Sequence, residues 1–255
     1  MPLDLPEYLA SLNSSPLAIS HTWEKGDSIT ALGTDNSARI KKLSALSFRA
    51  LLGLRAALGE WMHYRFASLQ DDQEFTLLNE AIWAASIDFR YLNMEALVFS
   101  RNDTNPVNGP MQLSKLGIVR LCNAYYEVSF GVVRYASNAA SLVNYVLPDN
   151  KQFQKWFKAV VVRLSNESTP PASISSNFSF EQKEMLPRGT LNEVFGAPIP
   201  REVFNPSFDV EGKNRRILID DMLVKIDRND NKFLNSKEKL LSQGFIGIPY
   251  RYSEV

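Results

Sequence analysis

The sequence predicts an all-α fold: a four-helix body with a small, mostly helical C-terminal appendage. Three observations carry that prediction. Apolar residues recur every three or four positions through long stretches between residues 36 and 166. Capping residues and Pro/Asn/Gly-rich breaks stand at the ends of those stretches. No convincing strand pair interrupts them.

Residues 1–35 carry scattered Pro, Gly, Ser and Asp with no sustained period. They read as an irregular arm packed on the body. Asn36 or Ser37 is the expected N-cap of a long amphipathic helix over 37–69, with Ile40, Leu43, Leu46, Ala50, Leu54, Ala57, Trp61 and Arg65 on its inner face. Gly53 and Gly59 cost that helix ~1 kcal/mol each against Ala. They leave room for a neighbouring helix to approach closely. Asp71 and Asp72 start a second helix, with a stripe of Phe75, Leu78, Ile82, Ala85, Phe89, Leu92 and Ala96. Arg101 to Pro110 is a loop by its Asn, Pro and Gly content. A third helix is expected over 113–146, ending at Pro148. It is apolar nearly all round, which places it at the centre of the bundle. Asp149 or Asn150 caps a fourth, which buries Phe153, Trp156, Phe157, Val160 and Leu164. The helical bundle thus spans 36–166.

Composition then shifts. Residues 167–186 are rich in Ser, Pro and Asn, the signature of a linker or long loop. The appendage, 187–255, is expected to hold a short helix after the capping box Thr190-Leu191-Asn192-Glu193, then helices at about 214–226 and 236–243.

Composition also bounds the function. The 28 Lys+Arg residues balance 28 Asp+Glu. A neutral chain does not broadly complement a phosphate backbone, so no nucleic-acid partner is expected. Cys122 is the only cysteine, which excludes an internal disulfide framework and any zinc site needing two cysteines. Asp4, Pro6 and Glu7 stand where a signal peptide would carry its basic and apolar regions. The best membrane candidate, Val128 to Leu147, is interrupted by Arg134, Asn138, Ser141 and Asn144. A cytoplasmic protein without a membrane partner is the expectation.

Two constellations invite a chemical reading. Asp227, Asn229, Asn231 and Glu238 fall at positions 1, 3, 5 and 12 of an EF-hand-like loop, 227–238, between the two predicted appendage helices. Against calcium stand Lys232 at the position that needs Gly, two neutral Asn ligands, and no second loop to pair with. Glu80, Asp88 and Glu95 fall near one face of the second helix, with Ala84 between them. Paired carboxylates such as Glu80 and Asp88 can serve acid–base chemistry. No His accompanies them, and a salt-bridge network with Arg55, Arg65 and Arg90 is the structural alternative. His63 beside Trp61 reads as a packed residue, and Cys122 as an inert buried thiol. Tyr125, Tyr126, Tyr135 and Tyr145 read as core or groove lining. G-x-S-x-G, P-loop and G-x-G-x-x-G patterns do not occur. No catalytic, cofactor-binding or metal-ligating residue is assigned.

Two groups of segments resemble a known family. The first comprises Gly59-Glu60-Trp61, Tyr64-Arg65-Phe66, Glu80-Ala81-Ile82-Trp83-Ala84-Ala85 and Asp88-Phe89-Arg90-Tyr91. The second is Asn231-Lys232-Phe233-Leu234 with Gly244-Phe245-Ile246-Gly247-Ile248-Pro249-Tyr250-Arg251. Together they resemble helical bacterial proteins encoded beside toxins of type VI secretion and related polymorphic-toxin systems. In that group the segment at Asn231 typically reads Asn-Pro-Phe-Leu, with no calcium ligands, and Lys232 replaces the Pro here. The resemblance implies an immunity protein: a cytosolic inhibitor whose partner is one cognate toxin effector domain, held in a stoichiometric complex without cofactor or turnover. The calcium-binding module using 227–238 and the helical enzyme using Glu80 and Asp88 stand as alternatives.

Overall fold

Helix α1 is a single turn, Glu7–Ala10, in the N-terminal arm of the computed structural model, which describes residues 3–10, 12, 18–24, 32, 36–99, 105–167, 195–226, 228 and 230–252. Among those residues the chain is helical, and its one strand-like contact is an isolated antiparallel bridge between Leu92 and Leu234. None of the described helices is long and apolar enough to cross a membrane.

The helix expected over 37–69 is two helices. Asn36 caps α2, Ser37–Leu43, by accepting the Arg39 N–H at 2.9 Å. The Ser44 hydroxyl then bonds back to the Lys41 carbonyl at 2.9 Å, which competes with the helical ladder. Ser47 starts α3, Phe48–Phe66, by accepting the Ala50 N–H at 3.2 Å. Asp72 caps α4, Gln73–Ile87, through the Phe75 N–H at 2.9 Å. That helix stops short of its apolar stripe because Asp88 Oδ1 captures the Arg90 N–H at 3.0 Å. The chain continues as two 3-10 turns, Phe89–Tyr91 and Met94–Ala96.

The expected third helix is also two. Helix α5, Asn108–Tyr126, begins inside the predicted loop, with Pro110 in its first turn, where a missing N–H costs nothing. Val128 turns the chain at φ 51°, and α6, Gly131–Val146, follows. A β-branched residue in the left-handed region is unusual, so nothing in the sequence announced this break. Helix α7, Lys151–Glu167, matches expectation: Asp149 accepts the Lys151 N–H at 3.0 Å, and Phe153, Trp156, Val160 and Leu164 are buried.

The centre of the molecule is α3 and not the 113–146 stretch. All of α3 except Arg49 and His63 is buried, whereas α5 and α6 bury one side. Arg55, Glu60 and Arg65 lowered the apparent hydropathy of α3, and small residues bring its neighbours close. A Cβ on Gly53 would lie 2.6 Å from the Phe204 ring, and one on Gly59 1.9 Å from Asn79 of α4.

Helices α8, Arg215–Lys225, and α9, Lys237–Ser242, fall where the sequence placed them, capped by Asn214 and Ser236. The expected linker after Glu167 and the Thr190–Glu193 capping box lie outside the described residues. The segment 195–252 packs on the helical body. Trp156 Nε1 donates to the Phe204 carbonyl at 2.9 Å, and Arg163 to the Asn205 carbonyl at 2.7 Å. The N-terminal arm is likewise docked: Leu9 is fully buried and Tyr8 stacks on Trp156 at 5.3 Å.

Candidate functional site

Gln73, Thr76, Glu80 and Trp83 recur at helical spacing on one side of α4. With Glu60 and His63 of α3 they line a cleft of about 570 Å³. Residues 3–6 of the arm, Arg201 and Asp230 complete its wall. Among the described residues its lining includes the carboxylates of Asp4, Glu60, Asp71, Glu80 and Asp230 against one arginine, Arg201.

Glu60 is 6% exposed and its oxygens are committed. Oε1 accepts Trp83 Nε1 at 2.9 Å and Arg201 Nε at 2.7 Å, and Oε2 accepts the Tyr8 hydroxyl. The neighbouring carboxylate and burial hold the Tyr8 phenol well above its usual range, burial being the larger cause. Glu80 Oε1 accepts the Leu3 N–H at 2.5 Å, and Arg201 also donates to the Asp4 carbonyl at 2.7 Å. These carboxylates therefore clamp the N-terminal arm and the Arg201 turn onto α3 and α4. Burial lowers the His63 pKa, against the pull of Asp71, Glu60 and Asp72. Its Nδ1 lies 3.4 Å from the Thr76 hydroxyl.

The predicted row of acids does not survive folding as a row. Glu80 faces the cleft. Asp88 lies eight residues on, about 12 Å of helical rise away, and caps the following turn while holding Arg90 in a 2.5 Å ion pair. Glu95 is exposed and pairs loosely with Lys239 at 3.5 Å. The structure does not bring Glu80 and Asp88 together. The expected network with Arg55 and Arg65 is replaced by bonds to main chain: Arg65 Nε donates to the Val146 carbonyl and Arg55 to the Ser114 carbonyl, both at 2.8 Å. Cys122 is buried and its thiol is pushed up to about 12, chiefly by burial. Tyr125 is core, stacked between Phe89 at 4.5 Å and Phe195 at 4.7 Å; Tyr126 is exposed, and Tyr135 and Tyr145 are half-buried.

In the EF-hand-like loop, Asp227 and Asn229 lie outside the described residues. Asn231 is turned into the protein: Nδ2 donates to the Leu77 carbonyl at 2.8 Å and Oδ1 accepts the Phe233 N–H at 3.0 Å. Lys232 pairs with Glu74 at 2.7 Å. The Glu238 carboxylate is held below its usual range by its own backbone N–H and by Ser236, as in a helix first turn. Among the described residues no three His, Cys, Asp or Glu side chains converge as a metal site would require.

A second surface, which no catalytic pattern in the sequence marks, lies on the appendage. Arg216, Ile217, Asp220 and Asp221 of α8 and Gly247, Ile248, Arg251 and Tyr252 border an open concavity of about 610 Å³. Ile248 is 69% exposed and Ile217 55%. Asp220 holds this face together, pairing with Arg251 at 2.6 Å and accepting the Tyr252 N–H at 3.1 Å. The signal available in the sequence was the run Phe245-Ile246-Gly247-Ile248, too apolar for a solvated C-terminal segment. Comparison with models of known protein families, with curated proteins and with solved structures finds no match to this chain.

Proposed function

We propose that this chain is an immunity protein: a cytosolic, non-enzymatic inhibitor that neutralises a cognate bacterial toxin domain by forming a 1:1 complex. The observation that carries the reading is the concave surface of α8 and residues 247–252. Aliphatic side chains exposed to water and rimmed by charge are the composition of a protein-binding patch. Ile217 and Ile248 supply apolar anchors. Arg216, Arg251, Asp220 and Asp221 supply both signs of charge for register and for steering the encounter. The segment that resembles toxin-associated helical proteins, Gly244 to Arg251, is the one that builds this rim.

The test is co-expression with the product of the neighbouring toxin gene. The intact chain is expected to restore growth and to co-purify at equal stoichiometry. Ile248→Asp, on an exposed side chain, is expected to leave the unfolding midpoint unchanged and to weaken the complex at least tenfold. Absence of both rescue and co-purification with the intact chain ends the proposal. Full binding by Ile248→Asp and by Arg251→Glu moves the interface elsewhere.

A further inference from the structure

Exposed aliphatic side chains are concentrated on the appendage. Among the described residues, five of the eleven large apolar side chains left exposed lie between positions 217 and 248: Ile217, Val224, Leu241, Ile246 and Ile248. Ile217 and Ile248 border the same concavity. Val224 follows Ile217 on α8 by two helical turns, and so stands on the same side of that helix. Apolar area left in water is unfavourable, so a surface that covers this patch gains by doing so.

The charges on this face complement themselves. Asp220 and Arg251 neutralise each other at 2.6 Å. Arg216 and Asp221 also border the concavity and are exposed, and among the described residues neither is in an ion pair. They flank Ile217 on α8, separated by about 7.5 Å of helical rise. Consider a second α8 lying antiparallel on the first, with a two-fold axis level with the Leu218–Ile219 peptide. Position 216 of each copy then comes opposite position 221 of the other. One operation forms two ion pairs, Arg216 with the partner's Asp221 and Asp221 with the partner's Arg216. It also lays the two Ile217 side chains beside the axis. A two-fold pairing of this kind closes on itself, so association stops at two chains.

We propose that a second copy of this chain covers this face in solution. The two chains form a two-fold dimer in which α8 packs antiparallel on the partner's α8, through Ile217, Ile248 and the two Arg216–Asp221 pairs. The dimer goes beyond the toxin reading and needs no toxin to be observed. It adds a regulation to that reading: a toxin domain that takes the same face competes with the second copy for it.

The test is sedimentation equilibrium of the purified full chain at neutral pH, from about 5 to about 500 µM, the range in which a small interface associates. The mass is expected to rise from 28.8 kDa toward twice that value. Arg216→Asp and Asp221→Arg, both on exposed side chains, are each expected to keep the urea midpoint of the intact chain. Each places like charges opposite one another and is expected to weaken the dimer about tenfold or more. An equimolar mixture of the two variants is expected to recover the dimer, because the mixed pair again sets opposite charges face to face. Should either variant not fold, Ile217→Cys decides: mild oxidation is expected to link two copies across the axis, and buried Cys122 does not compete. A single 28.8 kDa species at every concentration overturns the proposal and leaves the toxin reading to its own rescue experiment. A dimer that survives both single variants overturns it, as do a mixture that stays monomeric and an Ile217→Cys chain that forms no cross-link.

Discussion

Tyr91 and Tyr250 stack face to face, their ring centroids 4.5 Å apart and their planes 17° from parallel. The pair joins the end of α4 to the C-terminal segment, far apart in sequence. Around it, Asn235 donates its N–H to the Tyr91 carbonyl at 2.8 Å and its side-chain amide to the Arg90 and Leu92 carbonyls at 3.0 Å each. The Tyr250 hydroxyl donates to the Asn235 carbonyl at 2.5 Å, and Arg90 lies over the Phe245 ring at 4.4 Å. Tyr250 itself has φ 60°, a conformation that these contacts must hold in place.

Removing this clasp is expected to loosen the appendage. Tyr250→Phe should cost about 1 kcal/mol for the lost hydrogen bond. Tyr250→Ala should cost about 3–5 kcal/mol, since it also empties a buried ring site. Urea unfolding followed by tryptophan fluorescence measures both. Equal midpoints for intact chain and Tyr250→Ala would show that the C-terminal segment is not part of the cooperative unit.

The same cluster explains which parts of the fold were legible. Asp88–Tyr91, Asn231–Leu234 and Gly244–Arg251 stood out as sequence segments, yet their physical role is mutual: Asn93 donates its N–H to the Phe233 carbonyl and its side-chain amide to the Lys232 carbonyl only once the chain has returned to it. Residue spacing gives the face of one helix and says nothing of such long-range pairing. Helix starts were readable because Asn36, Asp72, Asn214 and Ser236 carry the capping oxygen in their own side chains. The breaks at Ser44–Ser47 and Val128 were not, since serine is tolerated in helices and Val128 turns against its intrinsic preference. Charged Arg55 and Glu60 disguised the most buried helix as an amphipathic one, because their partners come from elements that the sequence could not place beside them.

Glu60 is expected to be the most costly acid to remove. Glu60→Ala leaves the Trp83 and Tyr8 donors and the Arg201 guanidinium without the acceptor they share. A loss of about 3–5 kcal/mol follows from breaking a largely buried ion pair. Glu60→Gln keeps one acceptor and should lose less. Chemical denaturation tests this, and the arm supplies a second readout: limited proteolysis should cut before Leu9 faster in Glu60→Ala. An unchanged midpoint together with unchanged cleavage would contradict the clamp.

Two glycines should respond in opposite directions to the same substitution. Gly53→Ala places a methyl 2.6 Å from the Phe204 ring, so the 3-10 turn Arg201–Phe204 has to move. Overpacking of this kind costs about 1–3 kcal/mol, more than the ~1 kcal/mol gained in helix propensity. Gly117→Ala meets nothing within 4 Å and should stabilise the chain by about 0.5–1 kcal/mol. Melting temperatures of the two variants give the sign directly. Stabilisation by Gly53→Ala would mean that α3 and Phe204 are not in close contact.

His63 is expected to make the fold acid-sensitive. Burial lowers its pKa below the ordinary value of 6.5, with the nearby carboxylates Asp71, Glu60 and Asp72 opposing that shift. The unfolded chain therefore binds this proton more readily than the native one. Its contribution to stability is complete above pH 6.5 and is lost as pH falls through the native pKa. Glu202 works the other way: burial raises its pKa, so its contribution is complete at low pH and is lost as pH rises through the native value. The two are separated by a variant. His63→Gln keeps a polar group beside Thr76 but cannot charge, so the stability difference between the intact chain and His63→Gln should change between pH 7.5 and 5, with the intact chain losing more. Urea midpoints at half-unit pH steps measure this. A difference that stays constant across the range, or an intact chain that gains on the variant toward pH 5, would show that His63 titrates as freely in the fold as in the unfolded chain, or more readily.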